Sequence, residues 1–142
     1  MFSKTDSKQI REEFWTNFGK EYPNKWLLYN TKIKDVTLKF TFTTKKAQVS
    51  IDIEPHDPLI KSYYYDKFVS LKSIIISEYI PDIIFDDSYE LDNKKIISRL
   101  YVELNGVSIH NKVCWKETMS FLYDQMLKFE FFFIEYKDYI ND

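Results

Sequence analysis

The sequence predicts a two-layer α+β fold, an antiparallel four- to five-stranded sheet packed by three helices in the order α-β-β-α-β-β-α. Three observations carry this. Two adjoining runs, Val36–Thr43 and Ala47–Glu54, alternate apolar and polar residues with a period of two, the mark of half-buried strands. A residue series near the C-terminus, Trp115, Met119, Leu122, Met126, Phe129, Phe133, Tyr136 and Ile140, recurs at spacings of four and three, a helical seam. Only two glycines and four prolines interrupt 142 residues, which leaves little room for linkers.

The elements follow in order. Ser3–Phe18 reads as a helix, with Ser3 and Asp6 spaced as a capping box, Ile10, Phe14 and Phe18 on one face, and Gly19 as the stop. "EYPNKW" is a turn, and Trp26–Tyr29 offers an extra short strand ahead of the first hairpin. In Val36–Thr43, Val36, Leu38, Phe40 and Phe42 face inward. In the next run Ala47, Val49, Ile51 and Ile53 do so, while Gln48, Ser50, Asp52 and Glu54 face solvent, with Thr44–Lys46 as the connecting turn.

Asp57 and Pro58 suit the N-cap and first position of a helix that runs to about Tyr79 and is stopped by Pro81. Its stripe is Ile60, Tyr64, Phe68, Leu71, Ile75 and Tyr79. Ile83–Leu91 and Ile96–Leu104 form a second hairpin, and Asn105-Gly106 punctuates the chain. Nothing breaks the sequence from Val107 onward, so "KFEFFFIEYKDYI" reads as the last turns of one long helix, capped by Asn111. Phe121, Phe131, Phe132, Ile134 and Tyr139 lie off its seam. Phe121, Phe131, Phe132 and Tyr139 are therefore candidates for a homodimer interface through this helix.

Length fits a single domain over 1–142. One cysteine excludes an internal disulfide and a Cys-based zinc site, which suits a reducing compartment. The start, "MFSKTDSKQIREEF", lacks the apolar core of a signal peptide, and no stretch has the length and apolarity of a membrane span, so a cytoplasmic location and no membrane partner are expected. A net charge of −2 sets no global field toward nucleic acid.

Chemistry is sparse. The densest polar cluster is "IDIEPHD", where Asp52, Glu54, His56 and Asp57 could bind a divalent metal or share acid–base work. The simpler reading makes Asp52 and Glu54 the solvent face of a strand and Asp57 a helix cap. With a strand at Trp26–Tyr29, the order would match a restriction-endonuclease-like core, with Asp35 and Asp52-Ile53-Glu54 as its acidic residues. Glu54 then occupies the position of the lysine such enzymes need, which leaves at best a degenerate site. Asp35, Asp52, Glu54 and His56 are thus weak catalytic candidates, and no metal or other cofactor is expected. Cys114 follows His110 by four residues, but a lone cysteine beside Trp115 fits a small core residue better than a nucleophile. Gly19 and Gly106 stand alone, so no phosphate loop is present.

Charge is uneven. Lys20–Lys46 carries seven lysines against Glu21 and Asp35. Lys32, Lys34, Lys39, Lys45 and Lys46, with Trp26 and Tyr29 as stacking groups, are the candidates for nucleic-acid binding. The alternative is a hairpin whose outward lysines protect an edge strand.

The phrases "REEFWTNFGK", "KWLLYNTKIKD", "DKFVSLKSII", "ISRLYVELNGVSIHNKVCW" and "KFEFFFIEYKDYI" resemble a family of bacterial domains of unknown function, with the similarity running from Arg11 to Ile140. The resemblance implies a bacterial cytosolic protein, either of this length or joined behind nuclease-like domains. It assigns no catalytic residue. The expectation is a non-enzymatic binding or interaction domain, with an accessory nucleic-acid-binding domain as the alternative.

Overall fold

The computed structural model describes residues 3–142; Met1 and Phe2 of the leading segment lie outside them. Helix α1 (Lys4–Glu21) opens with the expected reciprocal cap, in which Asp6 N–H donates to the Ser3 hydroxyl and Ser3 N–H to the Asp6 carboxylate. It runs through Gly19 rather than stopping there. Gly19 is not in the left-handed conformation, and Tyr22, which closes the helix, packs its ring on Phe18 at 5.7 Å.

Strands β1 (Val36–Phe42), β2 (Lys46–Ile53), β3 (Ile84–Glu90) and β4 (Ile96–Asn105) form one antiparallel sheet in the order β1-β2-β4-β3. The two hairpins therefore meet along β2 and β4, where Val49 faces Val102, Ile51 faces Leu100 and Asp52 faces Arg99. Strand β3 slips register between Asp86 and Tyr89.

Residues 26–29 form no strand. They belong to a tight loop in which Leu28, Lys32 and Asp35 take left-handed φ values of 44°, 66° and 64°. The loop is tied by the buried Thr31 hydroxyl, which donates to the Val36 carbonyl at 2.6 Å and accepts from Ile33 N–H. Glu130 holds it from the C-terminal helix by accepting Leu27 N–H at 2.6 Å. Without that strand the restriction-endonuclease-like order does not arise.

The expected second helix is divided. Helix α2 (Pro58–Ser70), capped by the Asp57 carboxylate, ends at Leu71. A single turn, α3 (Lys72–Ile74), and a π-helical turn over Ile75–Tyr79 follow. The wider turn brings Tyr79 edge-on to Phe132 at 5.6 Å and to Tyr136 at 6.1 Å. Asn111 caps as expected, but the first turn after it, Lys112–Cys114, is 3-10, and helix α4 (Trp115–Ile140) follows. Every seam residue from Trp115 to Ile140 is buried except Tyr136, which is half-buried.

These helices close one face of the sheet. Phe14 of α1 meets Phe42 and Trp115, Phe68 of α2 meets Phe132, and Ile51, Ile53 and Leu100 lie beneath. None of the helices among the described residues is long and apolar enough to cross a membrane.

Candidate polar cleft on the open sheet face

The opposite face of the sheet carries the alternate residues: Lys39 and Thr41 of β1, Gln48, Ser50 and Asp52 of β2, Arg99, Tyr101 and Glu103 of β4. A strand face that no helix covers is expected to be wet. Here Gln48 and Ser50 are 0% exposed, Asp52 1% and Arg99 2%.

The cause is a self-sealing polar cluster. Asp52 accepts two parallel bonds from Arg99, from Nε to Oδ1 and from Nη2 to Oδ2, both 2.8 Å. Arg99 Nη1 donates to Gln48 Oε1 at 2.9 Å. Gln48 Nε2 donates to Glu103 Oε1 at 2.7 Å and to the Tyr89 hydroxyl at 3.1 Å. Tyr89, brought over the face by the β3 register slip, lays its ring 4.4 Å from the Arg99 guanidinium. Lys46 completes the set, 3.3 Å from Glu103 and 3.4 Å from the Tyr89 hydroxyl.

Burying an ion pair costs several kcal/mol per ion, recovered only where geometry is good and the remaining donors and acceptors are matched. The two-pronged Arg99–Asp52 contact and the Gln48 bridge meet that condition. Burial opposes the charge on Arg99, but the Asp52 carboxylate more than offsets it and holds the guanidinium above its ordinary range. Burial likewise opposes the charge on Lys46, yet Tyr89 and Glu103 hold its ammonium above the usual lysine value. Burial would raise the Glu103 carboxyl, but the Gln48 bond and the Lys46 charge pull it below the carboxylate range.

Above this floor lies an open cleft of about 380 Å³, lined by Lys39, Thr41, Lys46, Gln48, Tyr89 and Arg99, with the β3–β4 turn as its outer lip. Two buried hydroxyls on this face, Thr41 Oγ1 and Ser50 Oγ, have no hydrogen-bond partner among the described residues. An unmatched buried hydroxyl costs roughly 1–3 kcal/mol.

The residues singled out in the sequence fall in several places. Asp52 belongs to the cluster, whereas Glu54 pairs with Lys95 at 3.3 Å and His56 and Asp35 are exposed. Among the described residues no group of three or more His, Cys, Asp or Glu side chains could hold a metal ion. Lys39 and Lys46 reach the cleft, Lys45 sits exposed in the adjoining turn, and Lys32 and Lys34 are exposed on the loop before β1. Tyr29 is exposed, but Trp26 is packed against Phe40 at 5.5 Å and Tyr123 at 5.7 Å, so its ring is already occupied.

Of the interface candidates, Phe131 is 69% exposed, while Phe121 is half-buried and Tyr139 is held by its hydroxyl contact with Ser70 at 2.7 Å. Phe132 is wholly buried against Phe68 and Tyr79, because α2 and the π turn give α4 a second packing surface beyond its seam. Cys114 is buried, and its thiol donates to backbone carbonyls of Ser108 and Asn111, as a core residue would.

The sequence reading did not single out Arg99, Gln48, Tyr89 and Thr41 as site residues. One signal was available: Arg99 stands in the mostly apolar run "IISRLYVEL". A central-strand arginine there needs a buried acid opposite it.

No curated protein and no solved structure matches the chain. A family model does, over residues 10–137, and the chain accordingly belongs to the family described as a domain of unknown function, DUF4268.

Proposed function

We propose that the chain is a non-enzymatic recognition domain that takes a polar ligand onto the open face of its sheet. The observation that supports this is the cleft itself, whose floor is an ordered polar cluster and whose wall carries the unmatched Thr41 hydroxyl. Ligand sites combine a concave surface with a few fixed polar groups, and the buried array from Asp52 to Tyr89 supplies that fixed set. Asp52 is fully engaged by Arg99, which suits a structural role better than that of a general base.

The test is amide chemical-shift mapping of the full chain with uridine, glucose, acetate and inorganic phosphate. Saturable shifts centred on Thr41, Gln48 and Tyr89 are expected from at least one probe. Absence of any saturable shift there, with all four probes, would overturn the reading.

A second reading, nucleic-acid binding along β1, is favoured by the exposure of Tyr29, 78%, at a groove shared with Lys39. Lys32, Lys34 and Lys45 would then meet phosphates on the same margin. Binding of random single strands should weaken steeply with salt, and affinity indifferent to salt would count against it. A homodimer through α4 would be centred on Phe131; a monomer by sedimentation at high concentration would remove that idea.

A further inference from the structure

Resting on the reading of the cleft as a binding site, we infer that the ligand group it takes is an oxyanion, a carboxylate or a phosphate, seated against Tyr89, Thr41 and Lys39. The argument is a count of donors and acceptors. The Tyr89 hydroxyl oxygen accepts from Gln48 Nε2 and from Lys46 Nζ. An amide nitrogen and an ammonium cannot accept in return, so the phenolic proton goes to neither.

Thr41 lines the same cleft, and its buried Oγ1 has no partner among the described residues. Arg99, 2% exposed, has five N–H donors, of which the bonds to Asp52 and Gln48 use three, and its guanidinium also lies against Tyr89. Lys39 is exposed on the rim.

The cluster's acceptors are by contrast engaged or set back from the cleft. Both Asp52 oxygens receive Arg99 and the Gln48 carbonyl receives Arg99, while Glu103, whose Oε1 receives Gln48 and lies within ion-pair distance of Lys46, does not line the cleft. A cleft with donors to spare, and with the cluster's acceptors engaged or set back from it, matches a group that only accepts. An amine or other cation would meet Lys39, Lys46 and Arg99, with the lining carboxylates, Glu90 and Asp92, standing apart from them. Glu90 and Asp92 stand at the outer lip, both exposed, where they suit hydroxyl or amino substituents further along the ligand.

The experiment is an amide-shift titration of the full chain with inorganic phosphate, with acetate and with neutral uridine, on the wild type and on a Thr41→Val/Tyr89→Phe double variant. At least one anion should saturate the amides of Thr41, Gln48 and Tyr89, and the double variant should weaken it about tenfold or more. Saturation by phosphate alone assigns a phosphate ligand, and by acetate alone a carboxylate. Should the double variant fail to fold, Lys39→Ala, at an exposed position, should still weaken anion binding several-fold. Saturation by uridine with neither anion bound would overturn the oxyanion assignment while leaving the recognition reading intact. Anion shifts that neither variant weakens would also overturn it. Silence from all probes would remove both.

Discussion

The two faces of strand β2 are equally buried and are held by different physics. Ala47, Val49, Ile51 and Ile53 lie under the helices, while Gln48, Ser50 and Asp52 lie on a face that none of the helices among the described residues covers. The first set is stabilised by removing apolar surface from water, a term that grows with area and tolerates changes of shape. The second is stabilised only while its charges and amides find one another, so partial loss costs more than complete loss. Depth inside a protein is therefore a poor guide to what a side chain contributes.

The largest effects should come from truncating either face. Phe132→Ala should cost about 3–5 kcal/mol in denaturant unfolding, because it leaves a void between α4, α2 and the π turn. Asp52→Ala should cost a similar ~3–5 kcal/mol, since it strands the buried Arg99 charge. A loss below about 1 kcal/mol there would mean that water enters the cluster freely, and the contrast between the faces would dissolve.

Replacing the array together, Gln48→Leu with Asp52→Leu and Arg99→Met, should be neutral or stabilising by up to about 4 kcal/mol, yet abolish ligand shifts at Thr41. If the triple variant proves as unstable as Asp52→Ala alone, the all-or-none character of the polar face is refuted. Tyr89→Phe is expected to be milder, about 0.5–1.5 kcal/mol, from the lost Gln48 bond.

The smallest effect is in pH. Glu103 is held below its ordinary carboxyl value in the fold, so its contribution is present above about pH 4.3 and is lost as pH falls through the folded-state value. Glu130 is raised by burial, partly offset by the Leu27 N–H bond, so it works in the opposite sense, favouring the fold more at low pH. Glu103→Gln should remove only the first component, so the difference between variant and wild-type stability should shrink as acid is added. A difference constant over that range would disprove the assignment.

Much of the covered face was legible in the sequence. The seam of α4 names its buried residues because a helix against a sheet repeats its environment every turn. Strands β1 and β2 announced themselves by alternation, and the first turns of α1 and α2 by Ser3, Asp6 and Asp57. The open face was not legible, because alternation marks polar residues as outward without saying whether water is there. What closes that face is Arg99, 47 residues from Asp52, and Tyr89, delivered by a register slip that no local pattern encodes. The π turn was hidden for a related reason: Ile75–Tyr79 widens to seat Tyr79 on Phe132 and Tyr136, a contact made with a helix far along the chain.

The Asp52–Arg99 pair also joins the two hairpins. Each hairpin can zip up through its own short turn, whereas mating β2 to β4 must close a far longer loop and is expected to come later. A shift of one residue in that late step would put Asp52 and Arg99 on opposite faces of the sheet, one of them beneath the helices without its partner. The salt bridge thus serves as a check on assembly: the halves of the chain can settle against each other only when correctly aligned.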